Sequence, residues 1–247
     1  MLLEVKDLNI SLTSEKSVAE HISFRLGQGE MLSIVGSSGA GKTTICKAIM
    51  GLLGNAYRAD GEILFQGEDL LDLPERKRQT IYGKEICLIM QNPMTAFNPS
   101  IRVGRQMEKT YLLHHGKTPR QEMQRLFAAI LQKLGLEDTQ RILNSYPFTL
   151  SGGMLQRLMI AAALMCQPAL LVADEATTAI DACNRIGLMR ELKSFCKDGM
   201  SVLFVTHDLR SASVSDRILV MDRGQIVEQG KTEQILNTPK EDYTNIC

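Results

Sequence analysis

One stretch constrains this chain above all others: GSSGAGKTT, residues 36–44, lying between the continuously apolar run MLSIV and a segment with helical spacing, TTICKAIMGLL. It fits the pattern G-x-x-x-x-G-K-[ST], in the strand, loop and helix setting that such a loop needs. Gly36, Gly39 and Gly41 let the backbone curl until successive N–H groups converge, and a helix beginning near Lys42 adds its positive dipole end. The whole loop, with Ser37, Ser38, Ala40 and Thr44 between and after the glycines, reads as a cradle for nucleotide phosphates. Lys42 would reach the β and γ phosphates, and the Thr43 hydroxyl would sit on Mg²⁺. A Gly/Ser-rich turn with a chance lysine could match the letters, but it would not require a buried strand before it and a helix after it.

Binding phosphate is not hydrolysing it. LLVADE, residues 170–175, ends an apolar run with two adjacent carboxylates. Asp174 at the strand tip can hold the water shell of Mg²⁺, and Glu175 can orient and deprotonate an attacking water. A solvated acidic loop is the plain alternative, and the buried strand in front of the pair weighs against it.

The remaining pattern is that of an α/β chain. Runs at 31–36, 86–90, 170–173 and 201–205 are continuously apolar, as parallel strands covered on both faces are. LEVKDLNISL and ILVMDRGQIVEQG alternate more and predict antiparallel hairpins, while RQMEKTYLLHH, RQEMQRLFAAILQKLG and NRIGLMRELKSFC have helical spacing. The predicted organisation is a parallel core from about 1–95 and 166–247, interrupted by a helical subdomain at about 96–165, all within one domain. Twenty-eight Lys and Arg balance 28 Asp and Glu, which leaves no overall footprint for nucleic acid or an anionic membrane. Six cysteines (Cys46, Cys87, Cys166, Cys183, Cys196, Cys247) without CxxC spacing predict reduced, mostly buried thiols in a cytosolic protein, with no zinc site. MLLEVKDLNI is no signal peptide, and the longest apolar run, LMIAAALMC, is too short to cross a bilayer, so a soluble chain able to dock on a membrane protein is expected.

LSGGMLQR, residues 150–157, raises a conflict: a serine at a helix N-cap position and two glycines make a second anion-binding device. Ser151, Gly152 and Gly153 cannot hold the same phosphates as Gly36 to Thr43 without competing for the same oxygens. On these residues alone the segment could equally be the glycine-rich start of a buried helix, since the helix is apolar nearly all round. A second chain would resolve the conflict. LSGGMLQR resembles the signature of the ATP-binding cassette family, and the resemblance covers essentially the whole chain with the motifs in family order. It implies a RecA-like P-loop NTPase core with an N-terminal antiparallel β subdomain and an inserted helical subdomain. It implies ATP and Mg²⁺ as cofactors, and two cassettes paired head to tail, each signature closing over the other's ATP. It also implies that Gln91 is the Q-loop glutamine that reaches toward Mg²⁺ and water, that Asp181 in TTAID lies across the dimer interface, and that His207 contacts the γ phosphate. Without the resemblance, a histidine at a strand tip is more often packed or solvated than catalytic.

Two departures from the family pattern stand out. Leu12 occupies the position of an aromatic residue that stacks on adenine, and Ala176 follows the catalytic glutamate where proline is usual, which predicts a softer loop. MQNPMTAFNP (90–99) and YPFTLSGGMLQRLMIA (146–161) resemble the peptide and nickel importer branch, and most of all its nickel-importing members. That branch implies an energy-coupling ATPase at the cytoplasmic face of the cell membrane, peripheral, with a second ABC ATPase in a heterodimer, two permease subunits and an extracytoplasmic solute-binding protein. Nickel or a metal chelate is the expected cargo, favoured by the lack of the longer cysteine-bearing tail of many peptide importers, and oligopeptide or dipeptide import is the alternative. A non-transport cassette of DNA repair or translation would carry a long coiled coil or two cassettes in one chain. A regulatory nucleotide binder without turnover would have no use for Glu175 and His207 together.

Overall fold

The structure is a computed structural model, and it describes residues 1–175 and 182–239. Two long strands, β1 (Leu3–Leu12) and β2 (Ser17–Leu26), pair antiparallel. The buried strand β3 (Met31–Gly36) passes through the glycine loop into α1 (Lys42–Ile49). β4 (Tyr57–Phe65) returns antiparallel to β1, with β5 (Glu68–Asp69) at its edge, before α2 (Glu75–Ile81) and β6 (Ile86–Ile89). A helical run follows: α3 (Val103–His115), α4 (Arg120–Lys133), α5 (Thr139–Asn144) and α6 (Gly152–Leu164). The chain then alternates again through β7 (Leu170–Asp174), α7 (Ala182–Cys196), β8 (Ser201–Thr206) and α8 (Leu209–Ala212). β9 (Arg217–Asp222), β10 (Gln225–Lys231) and α9 (Thr232–Asn237) complete the described part.

Two sheets result, β2-β1-β4-β5 and β10-β9-β3-β8-β7-β6. The second is parallel except for β10, which folds back on β9 as the alternating C-terminal run predicts. Its central strands show why continuous apolar runs were needed. In β7, Leu170 and Val172 face the core shared with β1, β2 and α1, while Leu171 and Ala173 face the core shared with α3, α4 and α6. β8 splits the same way, Leu203 and Val205 against Val202 and Phe204. Successive side chains of a strand point to opposite faces, so a sheet covered on both sides must be apolar at every position. The α/β class, the antiparallel N-terminal sheet and the helical run after β6 are thus as expected.

β2 departs from the sequence pattern. Its buried residues Ala19, Ile22, Phe24 and Leu26 alternate only after His21, whose φ of 52° marks a bulge that shifts the pairing with β1. One extra residue breaks a period of two, and the pattern ceases to read as a strand. The short helices α2, α5, α8 and α9 were also outside the periodic signal. Cys46, Cys87, Cys166 and Cys196 are free and buried, in keeping with reduced thiols. Among the described residues no helix is long and apolar enough to cross a membrane.

Candidate functional site

β3 delivers Gly36 beside β9, where a Cβ would run into the backbone carbonyl of Met221. Gly41, the N-cap of α1, has φ 93°, and a Cβ there would lie 2.8 Å from the Val18 carbonyl oxygen. Any other residue would be strained by its backbone and blocked by β2 at once. Lys42 is only 4% exposed, and its Nζ donates to the carbonyls of Gly36 (2.8 Å) and Ser37 (2.7 Å), closing the loop upon itself. Ala40 is buried beneath the loop, whereas Ser37, Ser38 and Gly39 are exposed at its rim; Thr44 is half-buried on α1.

The Thr43 hydroxyl donates to Asp174 Oδ1 at 3.2 Å, joining the start of α1 to the tip of β7. Burial raises the Asp174 carboxyl above its ordinary range, the Thr43 hydrogen bond opposes that rise, the neighbouring Glu175 charge adds to it, and Lys42 and Lys47 oppose it. Glu175 adopts a left-handed φ of 49°, with its N–H held by the Val205 carbonyl at 2.9 Å. Such a conformation costs on the order of 1 kcal/mol for a non-glycine residue and turns the side chain out of the strand line. Its carboxylate receives Gln91 Nε2 at 2.7 Å on Oε2 and has His207 Nδ1 at 3.5 Å from Oε1. Residues from β3–α1, β6, β7 and β8 thus converge at one end of the parallel sheet, beyond the carboxyl ends of its strands, where ligands of open α/β sheets bind.

The second glycine device opens α6. Ser151 caps α6 by accepting from the Met154 N–H at 3.3 Å, as its N-cap position predicts. Ser151 and Gly152 are exposed, and a Cβ built on Gly153 would meet nothing within 4 Å. No hydrogen bond among the described residues joins Ser151, Gly152 or Gly153 to Thr43 or Asp174. Asp181 and Ala176 lie outside the described residues. Leu12, at the end of β1, is half-buried and pairs across the strands with Tyr57.

Two supporting residues escaped the sequence reading. Asp208, following His207, caps α8 by accepting from the N–H groups of Arg210 and Ser211 and from the Ser211 hydroxyl, with Arg185 at 3.5 Å. Burial works to raise its pKa, but these donors together with Arg185 hold the carboxyl below its usual range. An Asp before Leu-Arg-Ser is an N-cap signal, hidden here by the shortness of the helix. Arg157 donates to the Leu134 carbonyl and to Glu191, tying α6 to the end of α4 and to α7. Its partners are far away in sequence, and no local pattern announces them.

A protein-family model described as ABC transporter matches residues 19–178. The metal-staphylopine import system ATP-binding protein CntD of Staphylococcus aureus is 40% identical over 246 residues, covering 98% of this chain and 90% of that protein. The oligopeptide transport ATP-binding protein OppD of Bacillus subtilis is 41% identical over 250 residues, covering 98% of this chain and 70% of its own length. Among solved structures, the bacterial ABC transporter cassette MJ0796, a dimer, superposes with a TM-score of 0.82 at 26% identity, covering 94% of this chain and 99% of that one. The same cassette in a dimeric post-hydrolysis state bound to ADP and Pi gives 0.81 at 26% identity, with the same coverage. With the phosphate loop, the paired carboxylates and the exposed signature already in the family's order, this chain belongs to the ABC transporter family, as an ATP-binding cassette of its peptide and nickel importer branch.

Proposed function

We propose that this chain is the ATP-hydrolysing, energy-coupling subunit of an importer that takes up nickel or a metal chelate. The observation behind hydrolysis is the gathering of Gln91 and His207 on the Glu175 carboxylate, next to the Thr43–Asp174 contact. In this reading the loop Gly36 to Thr44 holds the phosphates through its N–H groups, and Lys42 leaves its own carbonyls for phosphate oxygens. Thr43, Asp174 and Gln91 would hold Mg²⁺; a hydroxyl and a carboxylate oxygen already 3.2 Å apart are hard donors that fit it. Bound there, the ion neutralises charge on the phosphate oxygens. Glu175 orients the attacking water and takes its proton, which requires Gln91 to give up Oε2, and His207 steadies the γ phosphate from the β8 side. Ser151, Gly152, Gly153 and Asp181 act on the ATP of a second ABC ATPase, expected to be a different chain. The helices between residues 96 and 165 transmit closure to two permease subunits served by a solute-binding protein, with the cassette peripheral at the cytoplasmic face of the membrane.

Support for a metal chelate comes from the S. aureus relative, a component of a metal-staphylopine import system. The B. subtilis relative, an oligopeptide transport protein of near-equal identity, favours peptide import as the second reading. Uptake of radiolabelled nickel and of a labelled dipeptide by cells with and without this chain separates the two. For hydrolysis, the purified complex with Glu175→Gln should retain ATP but turn over about 10²–10⁴-fold more slowly; an unchanged rate would remove Glu175 from the reaction.

A further inference from the structure

The signature helix α6 carries one polar side chain that this cycle leaves without a task. Gln156 is completely buried, and neither its amide nitrogen nor its amide oxygen has a hydrogen-bond partner among the described residues. The polar side chains beside it on the helix are satisfied: Ser151 caps the first turn, and Arg157 is engaged by Leu134 and Glu191. Around them Leu155, Leu158, Ile160 and Ala161 build the apolar core beneath the parallel sheet. A buried amide without partners is costly, and native interiors contain few of them. A methionine of the same length would fill this place at no such cost, so the glutamine calls for an account beyond packing.

α6 packs against β6 and against the short 3₁₀ turn Pro93–Thr95, which follows directly on the Gln91 segment. That turn is held by local contacts: Asn92 Oδ1 accepts from the Met94 N–H at 3.0 Å, and the Thr95 hydroxyl donates to the Asn92 carbonyl at 2.8 Å. Hydrogen bonds in a 3₁₀ turn are poorer than those of a helix or a strand, and its backbone groups can be shared anew after a small shift. Resting on the ATPase reading above, we propose that Gln156 is a positioning residue, unpartnered in the open chain, whose amide bonds to the backbone of the Pro93–Thr95 turn when the cassette closes on ATP. The orphaned amide raises the free energy of the open form and is relieved in the closed one, so it biases the equilibrium toward closure and couples signature helix to Gln91.

Gln156→Met tests this, since it keeps the length and deletes both polar atoms. The full chain without nucleotide should melt higher than wild type, by about 2–4 °C. ATP turnover by the purified membrane complex should fall roughly 5-fold or more while KM for ATP changes less than about 2-fold. A variant that fails to fold or melts at or below wild type would show that the amide is already satisfied, and unchanged turnover would show that it does nothing on closure; either result overturns the inference. Lys42→Ala in the same complex serves as the control. If turnover survives that change, the ATPase reading itself is at fault, while the melting comparison still reports on Gln156.

Discussion

The two glycine-rich helix starts carry the same chemistry in opposite states of enclosure. At the start of α1, Lys42 is folded onto its own loop, Gly36 has no room beside Met221, and Gly41 has none beside Val18. At the start of α6, Ser151 and Gly152 are exposed and Gly153 faces open space. Gly36 and Gly41 are required by the chain's own folding; Gly153 is not. A glycine at 153 that the chain's own packing does not require fits the proposed role of this loop at a partner's ATP.

The largest expected effect is at the first loop. Lys42→Ala should cut ATP turnover by about 10²–10³-fold, the usual size for losing one preorganised charge stabiliser, and a rate assay of the assembled complex checks it. A pair of identical changes separates the two loops. Gly41→Ala should destabilise the chain by about 2 kcal/mol through its φ of 93° and the Val18 carbonyl. Gly153→Ala should leave the melting temperature unchanged or slightly raised, because alanine favours a helix, yet lower turnover about 10-fold in the assembly. If both alanines cost equal stability, the distinction between the loops fails. Smaller still, Ser151→Ala should cost about 1 kcal/mol by chemical denaturation through loss of the α6 N-cap.

The smallest effect concerns pH. Burial raises the folded-state pKa of Asp174, so the folded chain binds that proton more tightly than the unfolded one, and ionising it costs stability as pH rises through the raised value. Asp174→Asn keeps an acceptor for Thr43 and should melt about 2 °C higher than wild type near neutral pH without nucleotide. The gain should vanish once pH falls below about 4, where the carboxyl is protonated in both states. An equal gain at both pH values would mean that charge is not the cause.

The strands of the parallel sheet and the phosphate loop were legible because burial on both faces forces continuous apolar runs, and because a loop between such a strand and a helix has few other uses. β2 was not, since the bulge at His21 shifts its apolar residues out of alternation. Candidate site residues could be named singly from their motifs, but their contacts could not. Gln91 and Glu175 meet across two adjacent parallel strands, β6 and β7, and strand order is a property of the whole topology. Arg157 with Glu191, and Gln156 without a hydrogen-bond partner among the described residues, belong to the same class of fact: they depend on how α6 sits against elements distant in sequence.

In the proposed function each catalytic centre is divided between two chains. The most direct test of this division is ATP turnover per chain, measured for the isolated protein and for the purified assembly across a wide dilution series. The isolated chain should turn over weakly and, in the assembly, turnover per chain should fall as dilution separates the subunits, with Gly153→Ala impaired throughout. Constant turnover per chain down to the lowest concentration, undiminished by Gly153→Ala, would contradict it.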